Sequence, residues 1–138
     1  KGIVPIVGTS YIDEHLLQHY FTSLETIQNE YGDCTIFPAH NEILSDVSPI
    51  ITHILSSYHK KLSVMQKILE NSSKPMTIQE VAFLAYGLSK TPLDAKHHFT
   101  IKSILTKTFS CLEYLYDIGF CERIQEKGVL YYIYIVVK

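Results

Sequence analysis

The stretch Ile36-Phe37-Pro38-Ala39-His40-Asn41 joins a short apolar run, a proline that ends it and a histidine just beyond. Since proline cannot donate a backbone hydrogen bond, a strand that covers 34–37 should stop there. We therefore predict a strand at 34–37 followed by a loop at 38–45. A histidine past a strand end can serve as a metal ligand, or it can be an ordinary hydrogen-bonded surface residue. The residues alone leave both interpretations of His40 open.

The composition is that of a folded chain. Of its 138 residues, 46% are apolar and 19% are charged, which excludes an extended disordered region. No run approaches the roughly 20 apolar residues that span a bilayer, so we expect no membrane contact and a cytoplasmic or mitochondrial location. Three cysteines without a close pair argue against a disulfide framework and against a cysteine zinc site.

The charge is unevenly distributed along the chain. Residues 1–59 hold one base and seven acids, a net charge of −6, whereas residues 60–138 hold eleven bases and seven acids, a net charge of +4. This asymmetry indicates either two units with different roles or two halves that attract each other.

The first half has the pattern of a small α/β layer. The apolar run at 3–7 is a candidate strand or strand remnant, although Pro5 favours an edge or irregular position. A helix is predicted from Asp13 to about Asn29, because apolar residues recur there at helical spacing. Its apolar face needs a cover, and we expect it to dock on the next helix unless a second copy of the chain fills the gap.

The second half has a compact order of elements. Thr77 and Glu80 form a capping-box pattern at the start of a helix. In chain order we predict a helix at 48–70, a short capped helix from 77, a third helix from about 94 to 117, and a hairpin with strands at 120–125 and 129–137. Three helices followed by a β-hairpin are typical of a winged helix, and we place its boundary inside the first of them, near Tyr58.

Taken in order, these features resemble the C-terminal third of metallo-β-lactamase-fold hydrolases that carry a C-terminal winged helix. Tyr20 to Leu24 match a Tyr-x-x-Ser-Leu helix, and Pro38 to Asn41 resemble a Pro-x-His-Gly loop. Further matches are Gln66 to Leu69 (Gln-x-Ile-Leu), Pro75 to Thr77 (Pro-x-Thr) and Tyr86 at the end of the following helix. The resemblance implies an α+β chain, with a β-α-β-loop-helix strip of the metallo-β-lactamase sandwich at 1–57 and a winged-helix domain at 58–138.

The resemblance also implies a function. It makes His40 the last ligand of a two-metal zinc site, of the kind that activates a water. The family's His-x-His-x-Asp-His motif, its later histidine and its bridging aspartate are absent, and Asn41 stands in place of glycine. We therefore expect a fragment of a metal-dependent hydrolase, thioesterase-like or ribonuclease-like, which neither holds zinc nor acts alone. Its expected partner is the missing N-terminal part of the catalytic domain, and a homodimer is the alternative.

A second hypothesis is a non-catalytic winged-helix module that binds nucleic acid or protein. The candidate nucleic-acid contacts are Lys96, Lys102 and Lys107 on the predicted third helix and Arg123 beside the wing. Helical spacing places Lys96 and Lys107 on one polar face. The same face carries Thr100, Ser103, Ser110 and Tyr114. Such a face suits phosphates of RNA or another single strand, and it equally suits plain solvent.

Two further groups have ordinary alternatives. His15 and His19 are four residues apart on the first predicted helix, a spacing that can hold one metal, but the glutamate of the zincin motif is absent and a solvated face explains them. The tyrosines of the last strand could stack on bases, although strand-face packing is the commoner role. These are Tyr131, Tyr132 and Tyr134.

Overall fold

The computed structural model describes residues 4–38, 42–43, 45–88 and 98–135. These residues form four helices and three strands: α1 (Leu16–Tyr31), α2 (Ser48–Glu70), β1 (Met76–Thr77), α3 (Ile78–Tyr86), α4 (His98–Asp117), β2 (Cys121–Glu126) and β3 (Val129–Tyr134). The loop with His40 and the segment 89–97, which includes Lys96 and the predicted start of the third helix, lie outside the described residues.

The three strands form one antiparallel sheet in the order β1-β3-β2. The hairpin of β2 and β3 turns at Lys127-Gly128, where both residues have positive φ (50° and 79°). Two residues of positive φ suit the right-handed twist of a hairpin. The predicted hairpin and its turn are therefore confirmed. Tyr132 lies on the central strand and is fully buried.

Helix α2 is the centre of the packing, and its predicted bounds at 48–70 are confirmed. Pro49 occupies its first turn, where its missing N–H has no helical partner to lose. One face of the helix is buried at helical spacing, and the other helices contact it. The buried residues are Ile51, Ile54, Tyr58, Leu62, Met65 and Leu69.

Helix α1 docks on this core, as expected. The ring of Phe21 meets the ring of Tyr58 edge-on, with 5.7 Å between their centroids, and the ring of Tyr114 in α4 at 5.2 Å. Edge-to-face aromatic pairs of this kind add about 0.5–1.5 kcal/mol to the burial of their area. The helix thus closes the groove between α2 and α4.

The predicted strands of the first half are wrong in the described residues. Val4 to Val7 form no strand; the Tyr58 hydroxyl instead accepts from the Val7 N–H at 2.9 Å and donates to the Pro5 carbonyl at 2.8 Å. At 34–37 the structure has only a single-residue bridge at Ile36. A buried tyrosine therefore satisfies backbone groups for which the sequence predicts a sheet partner.

Helix α1 also begins later than predicted. It starts at Leu16, because Asp13 and His15 have positive φ (60° and 50°), which a right-handed helix does not allow. Both residues are held by distant partners in α4 and β2. Tertiary contacts therefore override the local preference for helix at these positions.

The capping box at the start of α3 is confirmed. The Thr77 Oγ1 accepts from the Glu80 N–H at 3.2 Å, and a Glu80 carboxylate oxygen accepts from the Thr77 N–H at 2.9 Å. Two N–H groups at the helix start are thereby satisfied reciprocally.

Replacing Thr77 by alanine should lower the free energy of unfolding by about 1 kcal/mol, because the Glu80 N–H then loses its acceptor. Urea denaturation measures the change. Thr26→Ala is the matched control, since that exposed hydroxyl donates only to the Thr22 carbonyl of its own helix. Equal losses in the two variants would contradict a capping role.

Candidate functional site

The described candidate contacts for nucleic acid occupy very different environments. Lys102 is exposed on α4, but Lys107 is half-buried and its ammonium lies 4.6 Å from the ring centre of Tyr58. Ser110, predicted on the same polar face, is buried at 2% exposure. The prediction of an accessible polar face that includes Ser110 is therefore wrong, because this side of α4 packs against the core formed around α2.

Arg123 is held by the protein itself. Its Nη1 donates to Glu113 at 2.6 Å, its Nη2 donates to Asp13 at 3.0 Å, and its guanidinium carbon lies 4.4 Å from the ring centre of Tyr116. The arginine side chain is only 13% exposed. A contact with nucleic acid stays a prediction for this residue, and the observed contacts account for it without one.

Glu113 is the centre of this cluster, and sequence reasoning did not single it out. The residue is only 5% exposed. Its carboxylate accepts from the Arg123 guanidinium, from the Tyr132 hydroxyl at 2.6 Å and from the Asp13 N–H at 3.2 Å. Burial, with the hydrogen bond to Glu113, raises the pKa of Tyr132, which keeps its proton on the donating hydroxyl. The one available signal was a lone carboxylate in the apolar part of the third helix.

A second carboxylate of α4 holds the residue just before α1. The Nδ1 of His15 lies 2.8 Å from an Asp117 carboxylate oxygen. The hydrogen bond with Asp117 and its negative charge raise the pKa of His15. The ring of His19 lies edge-on to that of His15, with 6.5 Å between the centroids. The two histidines are neighbours, as their spacing predicted, but His15 is turned toward α4.

The described residues do not fit the two-metal centre that the resemblance implies. Within residues 4–38, 42–43, 45–88 and 98–135, no group of three or more His, Cys, Asp or Glu side chains could hold a metal ion. Zinc requires about four donors. His40, the implied ligand, lies outside these ranges.

Among the described residues, no helix is long and apolar enough to cross a bilayer.

Two solved structures have a fold similar to that of this chain. A β-lactamase domain protein from Burkholderia ambifaria matches 88% of this chain with a TM-score of 0.68 and 20% sequence identity. A metallo-β-lactamase family protein from Thermus thermophilus matches 96% of the chain with a TM-score of 0.70 and 19% identity. At such identities the likeness is one of fold, and it supports the expected metallo-β-lactamase fold.

The matched proteins are much longer than this chain, which spans 33% of the first and 38% of the second. A scan against protein-family models gives no match. A search of curated proteins gives no match either.

Replacing Arg123 by methionine should lower the free energy of unfolding by about 3–5 kcal/mol, because the Glu113 carboxylate would remain buried without a countercharge. Urea denaturation compares this variant with Lys60→Met, which removes an exposed cation from the middle of α2. If the free energy of unfolding falls by the same small amount in both variants, the buried ion pair is not what holds the hairpin to α4.

The contact between His15 and Asp117 predicts a pH dependence. Since the folded protein raises the pKa of His15, the contact stabilises the protein fully below the unfolded value of about 6.5. That contribution is lost as the pH rises through the folded pKa. Imidazole NMR shifts across a pH titration should show a lower pKa of His15 in Asp117→Asn. An unchanged titration would show that the ion pair does not form in solution.

Proposed function

We propose that the chain is part of a metal-dependent hydrolase of metallo-β-lactamase fold, with residues 1–57 in the catalytic domain and 58–138 in a winged helix. The fold likeness carries this proposal, since it covers 88% and 96% of this chain but only 33% and 38% of the matched proteins. A hydrolase of that size would hold most of its catalytic residues outside the sequence present here.

The distribution of exposed apolar side chains supports the proposal. Six large apolar side chains between residues 11 and 43 are exposed, and Phe37 reaches 74%. Exposed apolar residues are ordinary one by one, but a contiguous exposed patch marks a surface that another part of a protein covers. We infer that the remainder of the catalytic domain covers these side chains. The six are Tyr11, Ile12, Leu16, Tyr31, Phe37 and Ile43.

The order of elements from α2 onward supports the winged helix. The strand β1 lies between α2 and α3 and pairs with β3, so that the hairpin gains a third, antiparallel strand. A helix, a short strand, two helices and a hairpin in this order are the elements of a winged-helix domain. In this proposal α2 belongs to both parts and joins them.

The proposed role of His40 is to supply one imidazole ligand to a zinc centre whose other ligands come from the rest of the protein. Phe37, three residues before His40 in the sequence, supports this role because it is exposed. Another part of the catalytic domain could therefore contact the chain at Phe37.

The alternative is a module that binds nucleic acid through Lys96, Lys102, Lys107 and Arg123. The contacts of Arg123 with Asp13 and Glu113, and the burial of Ser110 on the same predicted face of α4, weaken it. Lys102 is the one of these four that is exposed among the described residues. The observations therefore favour the hydrolase, and its substrate class, thioester or RNA, is decided by assay.

The test uses the natural coding sequence with any segment that precedes Lys1. Bound zinc is measured by mass spectrometry, and hydrolysis is assayed on an acyl thioester and on a single-stranded RNA. His40→Ala should reduce both zinc content and hydrolysis by about 10-fold or more, because a direct ligand is lost. His53→Ala, an exposed histidine of α2, is the matched control and should change neither.

Two results would contradict the proposal. One is an unchanged zinc content and rate in His40→Ala. The other is hydrolysis by the 138 residues alone, since a centre with one ligand of its own cannot hold the metals.

A further inference from the structure

A cavity of about 390 Å³ lies between the segment before α1, the end of α3 and the first turns of α4. This volume is within the range of small-molecule sites, about 300–1,000 Å³. Its lining divides into an apolar part and a polar part. The apolar residues are Val4, Ile6, Phe99 and Ile104, and the polar ones are Tyr86, Thr100, Ser103 and Lys107.

The charge in this cavity comes from Lys107. Burial lowers the pKa of this lysine, and the other titratable groups that act on it are Cys111 and Lys61. The Cys111 thiol is neutral at pH 7, because burial raises its pKa to about 12. Among the described residues, no carboxylate pairs with Lys107. The one charged side chain in the lining is therefore an ammonium without a carboxylate partner among the described residues.

Tyr86 belongs to the wall without adding an accessible polar group. Its hydroxyl is shielded from solvent and has no hydrogen-bond partner among the described residues. The ammonium of Lys61, which does not line the cavity, lies 3.9 Å from the centre of the same ring and donates to the Ala85 carbonyl at 3.4 Å. A charged ligand in the cavity would therefore find its countercharge at Lys107.

The mouth of the cavity is apolar and faces water. Phe99 is 81% exposed and Ile6 is 56% exposed, although both line the cavity. An apolar ligand body would remove these side chains from water. The polar end offers one ammonium and the hydroxyls of Thr100 and Ser103, without an arginine fork, which suits a singly charged group better than a dianionic phosphate.

We propose that this cavity binds a small amphiphilic carboxylate, with its charged group at Lys107 and its apolar body against Val4, Ile6 and Phe99. The site is formed by described residues, and His40 is not among them. It does not depend on the proposed hydrolase function, and neither zinc content nor hydrolysis enters its test.

Isothermal titration calorimetry on the 138-residue chain tests the proposal with octanoate and with its neutral counterpart, octanamide. Octanoate should bind at one saturable site. Octanamide should bind with an affinity at least about 10-fold lower, because a charge-assisted hydrogen bond is lost. Lys107→Met should weaken octanoate binding by a similar factor. Lys60→Met removes an exposed lysine that does not line the cavity and should leave binding unchanged.

Two more variants keep the test decisive if Lys107→Met fails to fold. Lys107→Arg retains the charge and should retain octanoate binding, whereas Ser103→Leu fills the cavity and should abolish it with Lys107 intact. Circular dichroism verifies the fold of each variant. Equal affinity for octanoate and octanamide, full binding by the Ser103→Leu variant, or no saturable binding by the original chain would overturn the proposal.

Discussion

The buried carboxylate of Glu113 is the constraint on which the rest of the structure depends. Removing a carboxylate from water is costly unless charged and hydrogen-bonding partners compensate it. Its partners come from three separate places: the segment before α1 supplies the Asp13 N–H, β2 supplies Arg123 and β3 supplies the hydroxyl of Tyr132. All three must be in place together, so this one group joins the two ends of the chain.

This junction determines what the surrounding residues can do. Arg123 is directed inward, which leaves its guanidinium to Glu113 and Asp13 rather than to a ligand at the surface. The segment before α1 is fixed at Asp13, at the Thr9 N–H by the Thr106 carbonyl and at Val7 by the Tyr58 hydroxyl. The same segment forms one wall of the cavity beside Lys107. Residues on both sides of the predicted boundary near residue 58 therefore pack against each other.

The sequence predicted those elements whose signals are local. Thr77 with Glu80, and the turn at Lys127-Gly128, fix their structures through neighbouring residues, and both were predicted correctly. Elements decided by distant partners were not predictable in the same way. The run at 3–7 has a strand composition, but a tyrosine hydroxyl from α2 satisfies its backbone. Likewise, the spacing of Ser110 with other polar residues indicated a solvent face, and only the packing of α4 shows that it is buried.

The central claim, that Glu113 holds the segment before α1 and the hairpin as one unit, is tested most directly by native-state amide hydrogen exchange. The N–H groups of Thr9 and Asp13 should be protected with a free energy of opening close to that of the hairpin amides, because opening either breaks the shared cluster. Exchange of Thr9 and Asp13 at the rate of an unstructured peptide, while the hairpin stays protected, would contradict the account.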